Sequence, residues 1–141
     1  MSEAPTPVLI NLTSKTVKES FGLFFHGKDI NPVDGRLLSF AIENPNVSSW
    51  DLQQAFQLAK ASVSESLGRL VEGGYIEYQS DPDDKRAKRI VPTEKGLRFQ
   101  KDIHEWITRF DEKALSGISP DEEETLRSLL MRVMTNLERR T

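Results

Sequence analysis

The sequence predicts a mainly α-helical fold with one small β-hairpin (an α+β fold), and three observations lead to this prediction. Apolar residues recur at helical spacing in six segments of the chain. The pattern changes from helical to alternating once, after Gly74, and a turn-rich stretch and a second short apolar run follow. The length of 141 residues, of which 37% are hydrophobic, suits one compact domain. We therefore expect one domain rather than two.

Composition excludes several classes of function. The chain has no cysteine, so it holds no disulfide framework, cysteine-ligated metal or nucleophilic thiol. It also lacks a glycine-rich phosphate loop and a serine–histidine arrangement, which argues against an enzyme and against a cofactor. No apolar run approaches the roughly 18 residues of a membrane span, and the first basic residue is Lys15, too late for a secretory signal. We expect a cytoplasmic protein with no membrane partner.

The N-terminal part predicts a leader and two helices. Residues 1–10 begin with a polar stretch that contains two prolines, and we expect a disordered leader there. A first helix is predicted within residues 11–27, where phenylalanines recur at helical spacing and a glycine follows. Asn31-Pro32 supplies a capping side chain before a proline, so it starts the second helix, and Asn44-Pro45 ends it.

Two further helices follow closely. Ser48 or Ser49 can cap a short third helix from Trp50 to Leu58. In the fourth helix, Ser62 and Glu65 fit a capping box, and one face carries the apolar residues Val63, Leu67, Leu70 and Val71. Two helices joined by a tight turn are typical of a helix-turn-helix unit.

The hairpin comes directly after this unit. The stretch from Tyr75 to Gln79 alternates like a strand, the stretch from Ser80 to Asp84 is a strong turn signal, and a returning strand ends at Pro92. A basic run from Lys85 to Arg89 lies near the tip. This order of elements predicts a winged helix-turn-helix core over about residues 30–92, within a single domain of residues 11–141.

The C-terminal part predicts two long helices. Thr93 opens the fifth helix, and Ser119 with Glu122 forms a capping box for the sixth, with a proline at its first position. One face of the sixth helix is apolar over about three turns, at Leu126, Leu129, Leu130, Val133, Met134 and Leu137. We expect residues 11–27 and 93–140 to form dimerisation helices that a second copy of the chain covers. The alternative is that these helices pack on one another in a monomer.

The charge of the chain is unevenly distributed. The net charge of −3 argues weakly against a partner with many phosphates. However, one window opposes Glu94 alone with seven cationic residues: Lys85, Arg86, Lys88, Arg89, Lys95, Arg98 and Lys101. The acidic excess therefore lies elsewhere, as in a nucleic-acid binder with a small contact surface. A solvated charge run is the alternative.

Several short motifs between Asp51 and Gly96 match the sequence pattern of a known protein family. They are Asp51-Leu52, Val63-Ser64, Leu67, Arg69-Leu70, Gly74-Tyr75-Ile76, Asp84-Lys85-Arg86 and Pro92-Thr93-Glu94-Lys95-Gly96. With Ile30-Asn31-Pro32 before them, they resemble the MarR (multiple antibiotic resistance regulator) family of winged-helix transcription factors. The sequence departs from this family at Ala59, where a capping hydroxyl is usual, so we expect the fourth helix to begin later, at Ser62. It departs also at Gly35 in the second helix, which we expect to loosen the packing near the ligand pocket, and at Glu65, where a neutral or basic residue is common.

The predicted DNA contacts come from the fourth helix and the hairpin. An α-helix fits the major groove, and the polar start of the fourth helix offers Lys60, Ser62, Ser64 and Glu65 as readers of bases. Glu65 is alternatively only a cap. Arg69 lies further along, where a phosphate contact is expected. The resemblance implies that Arg86 enters the minor groove and is oriented by Asp84, with Lys85, Lys88 and Arg89 on flanking phosphates.

These inferences predict a DNA-binding transcriptional regulator. The resemblance implies a homodimeric, ligand-responsive repressor that binds an inverted repeat in double-stranded DNA. A small-molecule effector would lie among Phe21, Phe24, Phe25 and Trp106, although such aromatic residues also suit a plain core. His26 and His104 stand alone and predict no metal site. The alternative function is a winged-helix module that binds a protein and no DNA.

Overall fold

The computed structural model describes residues 3–80, 82–83 and 88–139. Within them, the order of elements is α1 (Thr6–Phe25), α2 (Pro32–Glu43), α3 (Ser49–Phe56), α4 (Lys60–Glu72), β1 (Ile76–Ser80), β2 (Lys88–Pro92), α5 (Glu94–Ala114) and α6 (Pro120–Glu138). The predicted fold class, mainly helical with one hairpin, is confirmed. The chain groups into two compact units, one ending at Ile103 and the other beginning at His104. The domain boundaries given above stay a prediction.

The first unit is built around α2, α3, α4 and the hairpin. Asn31 caps α2 by accepting a hydrogen bond from the backbone N–H of Asp34 (2.8 Å), as its position before Pro32 predicts. A capping box of Ser48 and Asp51 starts α3. Side chains from all these elements meet in one core, whose most buried members are Leu37, Leu38, Leu52, Val63, Leu70 and Ile76. The helix-turn-helix is therefore held by shared apolar burial.

The hairpin pairs β1 and β2 in antiparallel register, with Ile76 opposite Pro92 and Ser80 opposite Lys88. Its base is joined to the start of α5 by Thr93, whose hydroxyl donates to the Gly74 carbonyl (2.5 Å) and accepts from the Gly96 N–H (3.2 Å). A Cβ at residue 96 would lie 2.3 Å from the carbonyl oxygen of Tyr75. Only glycine allows this close approach of α5 to the hairpin.

Two expectations about the N-terminal part are corrected. The leader predicted over residues 1–10 is wrong from Thr6 onward, because α1 begins there. Its prolines lie just before the helix and in its first turn, where a missing N–H costs nothing. Gly35 does not loosen the packing of α2. A Cβ at residue 35 would lie 2.9 Å from Cε1 of Phe25 and 3.2 Å from Cζ of Phe99, so the glycine lets these rings approach the helix closely.

The second unit contains the end of α5 and all of α6. Ser119 and Glu122 form the predicted capping box, with Pro120 at the first helical position. Trp106 stacks on Phe110, with ring centroids 5.2 Å apart and planes inclined by 13°. The structure describes every residue of α6, and none of them is buried. Among the described residues, no helix is long and apolar enough to cross a membrane.

Candidate nucleic-acid interface

One face of α4 is polar and exposed. Lys60, Ser62, Ser64 and Glu65 all lie on the surface, whereas Val63, Ser66, Leu67 and Leu70 are buried on the opposite side. Helical spacing produces this division, because residues three and four apart share a face. The four residues predicted as base readers therefore project from the first turns of one helix, where a partner can reach them.

The predicted capping box at Ser62 and Glu65 is wrong. The helix begins at Lys60, and its N-cap position is occupied by Ala59, three residues before Ser62, without a side-chain cap. Ser62 and Glu65 consequently lie inside the helix, and neither is needed to satisfy the amides at its start. The sequence does contain the capping-box pattern of serine followed three residues later by glutamate, but this pattern lies about one turn after the start of the helix.

A cleft of about 500 Å³ lies between α4, the start of α3 and the hairpin. Its lining residues are Ser48, Ser49, Trp50, Ser64, Leu67, Tyr78, Lys88 and Ile90. The cleft brings together Ser64 and Lys88, two of the predicted DNA contacts from different elements. Trp50 and Tyr78 were not predicted as part of a site. Trp50 is 65% exposed, which is unusual for so large an apolar side chain. Its position beside the cleft is evident from the fold and not from the sequence.

The two cations of β2, Lys88 and Arg89, have different surroundings. The Lys88 ammonium lies over the ring of Tyr78, 5.6 Å from the centroid, and burial of that phenol raises the pKa of Tyr78. The Arg89 guanidinium donates a hydrogen bond to Oδ1 of Asn46, in the turn after α2. Lys88 thus faces the cleft, whereas Arg89 joins the hairpin to the exposed turn after α2. The predicted contacts Asp84, Lys85 and Arg86 lie outside the described residues.

Arg69 has a partner that the sequence did not reveal. Its Nε lies 2.8 Å from Oδ2 of Asp34, and its Nη2 donates to Oδ1 of Asp34 (3.1 Å) and to Oγ of Ser66 (3.2 Å). The hydrogen bonds and charge of Asp34 raise the pKa of Arg69. An arginine held by a buried carboxylate is poorly placed for the phosphate contact that its sequence position predicts.

Phe24 and Phe25, two of the four aromatic residues predicted to line an effector cleft, pack on each other and on Phe99. Phe24 is buried, and it meets Phe25 edge to face at 5.1 Å and Phe99 at 5.8 Å. Phe21 is half-buried on the same helix. Trp106 belongs to the second unit, where it stacks on Phe110. Phe24 and Phe25 therefore contribute to the core of the first unit.

No metal centre is apparent in the described part of the chain. No group of three or more His, Asp or Glu side chains there is placed to hold an ion. His26 follows α1 in the first unit, and His104 begins the second.

Comparison with known proteins places these features in a family. A family model described as MarR family matches residues 28–87, a range that contains α2, α3, α4 and β1. The chain is 30% identical over 114 residues to the "Uncharacterized HTH-type transcriptional regulator YybA" of Bacillus subtilis (strain 168), covering 79% of this chain and 76% of that protein.

Solved structures share the fold. A MarR protein from Peptoclostridium difficile DA00132 superposes with a TM-score of 0.78 at 21% identity, covering 98% of this chain and 92% of that one. MepR of S. aureus, in a complex with DNA, superposes with a TM-score of 0.80 at 20% identity, covering 98% of this chain and 100% of that one. At these identities the likeness concerns the fold alone.

Proposed function

Because this chain belongs to the MarR family of transcriptional regulators, as its motifs predict, we propose that it binds double-stranded DNA sequence-specifically. The observation that carries the proposal is the cleft in which Ser64 of α4 meets Lys88 of β2. This cleft sets a polar helix face beside a cation of the hairpin, the two chemistries that base edges and phosphates require. The family consists of transcriptional regulators rather than enzymes, in agreement with the sequence prediction.

The exposed face of α4 suits the major groove. That groove admits an α-helix, and hydroxyl groups such as those of Ser62 and Ser64 exchange hydrogen bonds with either donors or acceptors on base edges. The carboxylate of Glu65 accepts only, so it favours the amino group of cytosine and opposes a nearby phosphate. Lys60, at the first position of α4, reaches either a base or the backbone. We propose these four residues as the source of specificity.

The hairpin suits the DNA backbone beside that groove. Lys88 is the cation of β2 that faces the cleft, and we propose that its ammonium group contacts a phosphate of the DNA backbone. Arg89 is bonded to Asn46, so we give it a lesser part in binding. For Asp84, Lys85 and Arg86, the proposal rests on the family resemblance: Arg86 enters the minor groove, Asp84 orients it, and Lys85 neutralises a phosphate.

We propose a homodimer as the binding species. Six apolar side chains of α6 share one face by helical spacing, and Leu126, Leu129, Leu130, Met134 and Leu137 among them are exposed. A second copy of the chain would cover that face and create a twofold axis. Such a dimer binds an inverted repeat whose half-sites are about 34 Å apart, one turn of the duplex.

Repression and its relief by a small molecule complete the proposal, and they rest on the family resemblance. An effector near Phe24 and Phe25 would have to separate rings that now pack edge to face. Ligand binding there would therefore change the arrangement of α1 against α2. Such a change gives an effector differential affinity for two conformations, the requirement for any ligand to shift an equilibrium.

Selection of duplex DNA tests the function. The purified full chain is incubated with a library of genomic fragments, and bound duplexes are sequenced and footprinted. We expect enrichment of an inverted repeat protected on both half-sites. Protection of a single asymmetric half-site would contradict the dimer. Failure to enrich any duplex would contradict DNA binding and favour the alternative module that binds a protein.

The role of Lys88 is tested by salt dependence. Removing one phosphate contact lowers the slope of log affinity against log salt by about 0.9. We expect this decrease for Lys88→Ala and an unchanged slope for the control Lys15→Ala, which removes an exposed lysine from α1. An unchanged slope in Lys88→Ala would show that the hairpin does not approach the backbone at this residue.

A further inference from the structure

The apolar contacts of α4 do not by themselves fix its orientation. Val63, Leu67 and Leu70 bury one side of the helix in the core. Apolar burial stabilises this position, but it is non-directional, so it specifies the angle of the helix less sharply than a bidentate hydrogen-bonded pair does. Readers of base edges must be held within roughly 10–20° of their productive geometry. A directional interaction is therefore needed to hold Ser62 and Ser64 in place.

The ion pair between Arg69 and Asp34 supplies such an interaction. Two bonds of 2.8 and 3.1 Å join the guanidinium to the two carboxylate oxygens, and a third of 3.2 Å returns to Ser66 on the same helix. Bidentate pairing fixes an angle as well as a distance, because both bonds lie in the plane of the guanidinium. The side chain of Asp34 is only 3% exposed, so the anchor itself is embedded in the core.

Both charges lie at helix ends that favour them. Asp34 lies in the first turn of α2, where its own N–H donates to Asn31 and the helix dipole favours a carboxylate. Arg69 lies in the last turn of α4, where the dipole favours a cation. These placements offset part of the cost of burying a charge. The pair thus joins the start of α2 to the end of the proposed recognition helix.

We propose that Asp34 is a positioning residue that sets the rotation of α4 through Arg69, and so determines how well the protein distinguishes its target from other DNA. Arg69 follows Ser62 by seven residues, which brings it back to within about 20° of the same direction on the helix. The clamp therefore acts on the flank that carries Ser62 and Glu65. This inference rests on the proposed function, and Asp34 itself touches no DNA.

A competing role for Arg69 makes a different prediction. Its side chain is 51% exposed, so a direct phosphate contact, as its sequence position predicts, is the alternative to test. In that role Arg69→Met would lower the salt slope by about 0.9 and weaken binding to every duplex. Asp34→Asn would have the opposite effect, because it would release the guanidinium for the phosphate.

The experiment measures affinity for two duplexes, the one selected by the unmodified protein and an unrelated one of equal length. If Asp34 positions α4, both Asp34→Asn and Arg69→Met reduce the ratio of the two affinities by about tenfold, the cost of one poorly read base pair. The salt slope and the affinity for the unrelated duplex stay unchanged. The control Arg36→Met, which removes an exposed cation from α2, alters none of these quantities.

A double variant separates positioning from stability. Apolar replacements of a buried ion pair are often neutral for stability, so Asp34→Leu with Arg69→Met is expected to unfold near the temperature of the unmodified protein. It lacks a directional bond, so we expect its discrimination to stay about tenfold lower. Full discrimination in this variant would overturn the proposal, as would a reduced salt slope in Arg69→Met. If the unmodified protein selects no duplex, the proposed function fails instead.

Discussion

The helices α4 and α6 have similar apolar stripes but very different surroundings. In α4, Val63 and Leu70 are almost completely buried within the first unit. In α6, Leu129 is half exposed and Leu137 is 81% exposed. An amphipathic helix gains little stability until its apolar face is covered. The first unit therefore has its own apolar core, whereas most of the apolar face of α6 is exposed, and the second copy proposed above would cover it.

This contrast predicts that the two regions respond differently to substitution. A change in the buried core of the first unit acts on folding, because these contacts lie within one chain. A change on the apolar face of α6 acts on association, and folding of the winged unit survives it. Each of the following variants tests one side of this distinction.

The largest effect is expected for Leu130→Glu on the apolar face of α6. A carboxylate there opposes burial against a second copy, so light scattering should show a monomer. Loss of the second half-site would weaken operator binding about 100-fold or more, because the second contact is no longer intramolecular. Ser128→Glu adds the same charge on the opposite face and should leave the dimer intact. A dimer that persists in Leu130→Glu would contradict the assignment of this face.

A smaller effect on folding is expected at the junction of the hairpin and α5. In Gly96→Ala, the new methyl group meets the carbonyl oxygen of Tyr75 and forces the backbone apart, at a cost of about 2 kcal/mol in unfolding free energy. Gly68→Ala in α4 is the control, because, apart from its chain neighbours and the nearby backbone of its own helix, no atom of the described residues lies within 4 Å of the added Cβ. There the better helix propensity should stabilise the protein by about 1 kcal/mol. Denaturant titration measures both, and a neutral Gly96→Ala would contradict the close approach.

The smallest effects are expected at two serines of the first unit. Ser48 caps α3, so Ser48→Ala should cost about 1 kcal/mol of unfolding free energy. Ser62 lies inside α4 and caps nothing, so Ser62→Ala should change that energy by less than about 0.5 kcal/mol. Thermal unfolding of both variants compares them directly. A loss in Ser62→Ala equal to that in Ser48→Ala would restore the capping role predicted from the sequence.

Features set by neighbouring residues could be predicted from the sequence. Asn31 before Pro32 and Ser119 before Pro120 start α2 and α6, because a capping side chain and a proline act within one turn. The hairpin was likewise evident from alternation around a turn. The same local logic failed at Ser62, since a capping pattern occurs inside a helix as readily as before it.

Features that join distant residues could not be predicted. Asp34 and Arg69 are 35 residues apart, and nothing in either segment indicates that α2 and α4 bring them together. Gly35 was misinterpreted for the same reason, because its role depends on where Phe25 and Phe99 lie. Residues of α3, α4 and the hairpin together line the cleft, so the sequence alone did not show that Trp50 belongs to it.

The two tryptophans give each unit its own optical reporter. Trp50 borders the cleft and is largely in contact with solvent, whereas Trp106 is stacked on a phenylalanine in the other unit. Since the chain has two tryptophans in all, replacing one by phenylalanine leaves a single emitting indole. Fluorescence of Trp50 alone would then follow occupancy of the cleft, and fluorescence of Trp106 alone would follow events in the C-terminal helices, without any attached dye.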